Sequence, residues 1–195
     1  MSGHEIAWVR ASTGILTDRV LAERTAPALV RRALELGVTF IDTAEIYGFG
    51  RSERIVAAGL AAAAKEDGQL ALGIADLSNL FGALKLYKSA QKKGVQPIIG
   101  ADVWVEPEEA GKPPTRLLLI IQNRQGYLRL SELLGEAWTA PGQRNHAWVF
   151  WQSLIQRNEG LICLSGADLG PVGQAALMGD MAKAEGWAKK LAAAF

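Results

Sequence analysis

Cys163, His4 and His146 are all the thiol and imidazole chemistry this chain offers. A single thiol excludes an internal disulfide and any multi-cysteine zinc site. Two imidazoles leave little for metal catalysis. His146 stands in a polar stretch between Asn145 and Ala147 and reads as a surface residue. Cys163 sits inside an apolar strand-like run, GLICLS, and reads as core. The glycines of GADLGPVG, Gly166 to Gly173, suggest a phosphate cradle, but the run lacks the GxxxxGK[ST] pattern that places a lysine on the phosphates. Lys88, Lys92 and Lys93 form a small basic patch. It reads as a solvated helix face, not a nucleic-acid site. Trp138, Trp148 and Trp151 flank one loop. They are either a hydrophobic lid or an exposed patch for a partner.

These residues need a scaffold, and the rest of the chain supplies its pattern. With 195 residues, 49% of them hydrophobic, there is material for one domain with a real core and too little for two. No apolar run reaches the ~18 residues of a membrane span. Met1 to Arg10 carries no apolar signal core, so a cytoplasmic protein is expected. A net charge of +1 argues against holding nucleic acid by bulk electrostatics.

Residues 1–24 show no clean period and read as a weakly ordered lead-in. From Ala26, the residues Leu29, Val30, Ala33, Leu34 and Leu36 form a helical apolar stripe that ends at Gly37. Val38 to Asp42 is a short buried strand, and Ser52 to Ala64 is a helix with Ile55, Val56 and Leu60 inward. Leu70 to Ala75 is the next strand. A helix from about Asn79 to Lys93 turns Leu80, Leu84, Leu86, Tyr87 and Ala90 to one side. Gln96 to Val105 and Thr115 to Ile121 are strands joined by the turn-rich EPEEAGKPP. Gln125 to Trp138 is a helix with Tyr127, Leu128, Leu130, Leu133 and Leu134 inward. A short helix near Trp151 to Arg157, a strand from Gly160 to Ser165, a turn at Gly170 to Gly173 and helices over 175–179 and 181–194 complete the pattern.

Strands that are continuously apolar imply cover on both faces and a mostly parallel sheet. A closed barrel of this kind needs about 250 residues. The expectation is therefore an α/β chain. Its fold is a partial or open (β/α) barrel of about five mostly parallel strands with helices outside.

Two stretches carry family resemblances. ALVRRALELGVTFIDTAEIYGFGRSERIV, Ala28 to Val56, resembles the aldo/keto reductases. That family has a helix, a strand ending in Asp-Thr-Ala, and a catalytic Tyr five positions after the Asp. Asp42 and Tyr47 match that spacing. The resemblance implies a Tyr that donates a proton to a carbonyl, tuned by the Asp through a Lys at the end of the next strand. Here that strand ends in Ala75-Asp76, and a carboxylate in that place works against an ionised Tyr. The family's catalytic His and the late strands that hold the nicotinamide phosphates are missing. Asp42 and Tyr47 are expected to be a vestigial, inactive pair: Asp42 caps the turn after its strand, and Tyr47 is a half-buried loop aromatic. No cofactor is expected.

The second resemblance covers about two thirds of the chain. ALGIADLSNLFGALKLYKSAQKKGVQPIIGADVWVE (Ala71 to Glu106), LLLIIQNRQGYLRLSELLGEAW (Leu117 to Trp138) and NEGLICLSG (Asn158 to Gly166) resemble the polymerase and histidinol phosphatase (PHP) domain. The likeness is to the form found in the alpha subunit of bacterial DNA polymerase III. Active members bind metal through several His with Asp and Glu. Their opening His-x-His has no counterpart here. Their Thr-Asp-His corresponds to Ala75-Asp76-Leu77, which puts a leucine where an imidazole belongs, and Asp102 stands where active members place a Glu. No metal site is expected from Asp76, Leu77 and Asp102.

Taken together, the resemblances imply a chimera: residues 25–62 as a reductase-like unit and 63–195 as a PHP-like region sharing one core with it. The implied function is that of an N-terminal PHP-domain fragment of a replicative polymerase alpha subunit, inactive itself and structural. Its implied partners are a proofreading exonuclease subunit and other polymerase subunits. The alternatives are an NADPH-dependent reductase remnant, a designed or recombined chimera without activity, and a residual metal-dependent phosphoesterase. Open sheet edges make self-association a further expectation.

Overall fold

The computed structural model describes residues 8–10, 28, 30–33, 35–36, 40–42, 51–107, 112–140 and 147–195, with the backbone alone at 8–10, 40–42 and 51–53. The chain forms two compact units. The first contains Met1–Gly73 and Gly82–Pro97, and the second Ile74–Phe81 and Ile98–Phe195.

In the first unit, β1 (Trp8–Arg10) pairs parallel with β2 (Phe40–Asp42), with Arg10 opposite Asp42. A strand therefore stands inside the stretch 1–24, where three residues are too few to show a period. The described residues of 28–35 are helical, and Val30 is buried. Leu36, expected inward, lies in the turn beyond and is 65% exposed. Helix α1 (Arg51–Glu66) buries Ile55, Ala57, Ala61 and Ala64, while Val56 and Leu60 are only half-buried. The small side chains explain the shift. Ala61 and Ala64 let α2 (Ala83–Lys93) approach closely with its Ala90, and Val95 and Leu72 complete this core. On α2 itself Leu86 and Ala90 are buried, but Leu84 and Tyr87 face water. The helix ends at Gly94, whose left-handed φ of 69° returns its N–H to the Ala90 and Gln91 carbonyls.

The second unit is built on a five-stranded sheet in the order β3 (Ala71–Leu77), β4 (Gln96–Val105), β5 (Thr115–Ile121), β7 (Leu161–Leu164), with β6 (Trp148–Val149) also on β4. The first residues of β3 and β4 belong to the first unit. β5 runs antiparallel to both β4 and β7, and β6 runs parallel to β4. Strands β4, β6 and β7 thus share one direction and β5 alone of these opposes them. The cause is the short Glu106–Pro114 link, which can make a hairpin but not a crossover. The sheet is mixed and, among the described residues, open.

Helix α3 (Arg124–Thr139) covers one face of the sheet. Its Leu130, Leu133, Leu134 and Ala137 meet Ala101, Val103, Val105, Leu117 and Leu119, all nearly inaccessible. Tyr127 and Leu128 were expected on this stripe but are exposed, because they lie outside its arc. The opposite face carries Asp102, Trp104, Arg116 and Leu118, half-buried, and Ile162 and Leu164, exposed. The expectation of dry cover on both faces is therefore corrected: the apolar runs have one dry face and one half-open face. Helices α4 (Trp151–Gln156), α5 (Pro171–Leu177) and α6 (Met181–Ala194) complete the unit, with a 3-10 turn at Ala167–Leu169. Helix α5 begins inside the expected turn, since Pro171 stands at a first helical position, where its missing N–H costs nothing.

Candidate functional site at the end of strands β3 and β4

Strand β3 extends to Leu77, so Asp76 and Leu77 are its last residues. Ser78 follows in a left-handed conformation, φ 53°. Its N–H donates to the Asp102 carbonyl at 2.7 Å, and its own carbonyl accepts from the Trp138 indole Nε1 at 2.8 Å. Asn79 then closes an Asx turn: its Oδ1 accepts from Phe81 N at 2.9 Å and its Nδ2 donates to the Leu77 carbonyl at 2.8 Å. These side-chain bonds compete with helix formation, so α2 starts at Ala83 rather than near Asn79. The result is that Ser78, just past the end of β3, is held against the Asp102 backbone. Ser78 is buried, and among the described residues its hydroxyl has no partner.

The chemistry at Asp102 is already committed. Arg116 donates from Nε to Oδ1 at 3.0 Å and from Nη2 to Oδ2, so both carboxylate oxygens are taken by one guanidinium. Such forked pairs are the strong, geometrically fixed form of an ion pair. Arg116 also lies over the Trp104 ring, 5.3 Å from its centroid. The ladder explains the stack, because Trp104 and Arg116 are direct partners across β4 and β5. Leu77 is 45% exposed and offers no ligand atom. Among the described residues, no group of three His, Cys, Asp or Glu side chains gathers as a metal ion would need. With both Asp102 oxygens held by Arg116, and Leu77 offering no ligand atom, the described residues at this end of the sheet do not fit a metal centre.

The sequence brought forward Asp76, Leu77 and Asp102; the structure puts the first two at the end of β3, on opposite faces of the strand, and Asp102 on the neighbouring β4. It overlooked Arg116, Trp104 and Ser78. A signal was present for Arg116: in TRLLLII, alternation puts Arg116 on the face opposite Leu117 and Leu119.

The other candidates separate. Asp42 ends β2, paired with β1, and its side chain, Tyr47, His4 and His146 lie outside the described residues. Lys88, Lys92 and Lys93 are exposed on α2, the last two in its final turn, where they complement the helix dipole. Trp138 is 66% exposed apart from its bond to Ser78. Trp151 instead packs edge-on against Trp187, centroids 5.3 Å apart, with Lys190 Nζ 4.2 Å from both rings. Cys163 lines a cavity of mixed character with Gln122, Ile162, Ser165, Val172 and Leu191, and burial pushes its thiol up to about 12. A thiol held protonated is a poor nucleophile at neutral pH. In GADLGPVG the glycines serve backbone approach: a Cβ on Gly170 would lie 1.6 Å from the Ser165 carbonyl oxygen.

A family model for the PHP domain matches residues 56–195, and the chain belongs to that family. Within it, the chain is similar to the DNA polymerase III subunit alpha of several bacteria. The Neisseria meningitidis (serogroup A / serotype 4A) protein is 44% identical over 138 residues, covering 70% of this chain and 12% of that protein. The Pseudomonas aeruginosa protein is 40% identical over 119 residues (60% and 10%), and the Escherichia coli protein 36% over 115 (59% and 10%). The chain therefore spans about a tenth of the length of these curated relatives. A model for the aldo/keto reductase family also matches, over residues 12–98, wider than the motif stretch and overlapping the PHP match across 56–98. Among the described residues, no helix is long and apolar enough to cross a membrane.

Proposed function

We propose that the chain serves as a non-catalytic PHP domain of a replicative DNA polymerase alpha subunit, in the cytoplasm, with a structural role and a docking role for partner subunits, a proofreading exonuclease first among them. One observation carries the reading: both oxygens of the Asp102 carboxylate are held by Arg116. A phosphoesterase of this family needs open carboxylates and imidazoles to activate water on metal. Hydrolysis of p-nitrophenyl phosphate, measured with Mn2+, with Zn2+ and with EDTA, tests it. No chelator-sensitive turnover is expected. Saturable hydrolysis that EDTA removes and Asp102→Asn abolishes would overturn it. Titration with a proofreading exonuclease subunit tests the docking role: a saturable complex supports it, and no complex overturns it.

A second reading, a recombined or designed joining of two (β/α) families without activity of its own, has one observation in its favour. The two family matches overlap across 56–98, so α1, β3 and α2 answer to both patterns. An NADPH-dependent reductase has less support, since Asp76 stands where that chemistry needs a lysine. NADPH fluorescence unchanged by the protein is the expected result. The end strands β3 and β7 also support self-association through their edges, which light scattering at rising concentration would detect.

A further inference from the structure

We infer that the Arg116 guanidinium is a built-in cation, taking at Asp102 the place a divalent ion would occupy, so that this end of the sheet is held without metal. The inference rests on the non-catalytic reading and states what replaced the ion. The pair is partly withdrawn from water: the side chains of Arg116 and Asp102 keep 21% and 28% of their exposure. An unpaired carboxylate in such surroundings is costly, so the site requires a cation of some kind. Arginine supplies a permanent one, since the guanidinium does not deprotonate in proteins. Its fork matches both carboxylate oxygens, and the Trp104 ring fixes its plane. The pair also stands where strands meet. Arg116 comes from β5 and Asp102 from β4, and the Asp102 carbonyl accepts the Ser78 N–H at the end of β3. A single side chain thus balances the Asp102 charge where three strands meet.

The test is thermal unfolding of the whole chain as purified, in EDTA and in Mn2+, for wild type, Arg116→Gln, Arg116→Lys and Asp102→Asn/Arg116→Gln. Wild type is expected to melt at the same temperature in both. Arg116→Gln should melt about 5 °C lower, and Mn2+ should recover part of that loss. The recovery should vanish in Asp102→Asn/Arg116→Gln, which lacks the carboxylate. Arg116→Lys, which keeps the charge but not the fork, should lose less and gain nothing from Mn2+, and it carries the comparison if Arg116→Gln does not fold. An unchanged midpoint for Arg116→Gln, or a lowered one that Mn2+ leaves untouched, would overturn the inference while leaving the non-catalytic reading standing. A wild type that loses stability in EDTA would instead overturn that reading.

Discussion

Cys163 shows how burial disarms a residue type that could do chemistry. Its Sγ makes a weak contact to the Leu164 carbonyl, at 3.7 Å, and burial disfavours the thiolate. Desolvation raises its pKa from the ordinary 9.0 to about 12. The linkage has a definite sign. The unfolded chain gives up the proton near pH 9 and the folded chain only near 12, so the native state holds the extra proton between them. This group makes no pH-dependent contribution below about pH 8, and it lowers stability as pH rises from 9 towards 12. Urea midpoints measured from pH 7 to 10.5 should decline less steeply in Cys163→Ala than in wild type above pH 9. Parallel declines would contradict the burial argument. Alkylation by iodoacetamide at pH 8 should be slow in the native state and fast in urea. The sequence pointed to a core Cys163 because its neighbours are apolar, but the residue is only partly buried, packed against the core, and Ile162 and Leu164 beside it are exposed. The Asp102–Arg116 fork was not legible, because it depends on a register that only the folded hairpin sets.

Helix α3 joins the sheet through two glycines. Asn123 caps the helix by accepting the Gly126 N–H at 3.0 Å, and Gln122 N donates to the Gly160 carbonyl at 2.9 Å. A Cβ at Gly126 would lie 1.9 Å from that same Gly160 oxygen, a backbone atom that cannot swing aside. Gly126→Ala should cost about 3 kcal/mol or more. A Cβ at Gly135, on the same helix, would meet nothing within 4 Å, so Gly135→Ala should stabilise by about 0.5–1 kcal/mol through helix propensity alone. Denaturant midpoints with unchanged slopes would measure both, and equal effects would contradict this account of the contact. At this scale the sequence was most informative: the long helices and the apolar strands stand where their periods put them. It failed where a local bond outweighs a period. The Asn79 turn delays α2, and two- and three-residue strands such as β6 and β1 are too short to have a period. The half-open face of β4 and β5 was hidden for another reason: Ile and Leu occupy it as readily as they do a dry one.

At the scale of the molecule, the chain presents two cores of different make. One is the alanine-rich contact of α1 with α2, and the other is the leucine-rich cover of α3 on the sheet. The family switch was legible as two motif sets, but how far each extends was not, since the matches to the two families overlap. Strands β3 and β4 run through both units. We therefore expect the chain to unfold as one domain, and to do so without metal. Urea unfolding in the presence and absence of EDTA, followed together by tryptophan fluorescence and far-UV circular dichroism, tests this most directly. Five of the six tryptophans lie in the second unit, whereas the dichroism reports helices from both. Coincident single transitions, with the same midpoint in EDTA, are the predicted result. Separated transitions, or a midpoint that EDTA lowers, would contradict the account of a single structural domain that stands without a metal centre.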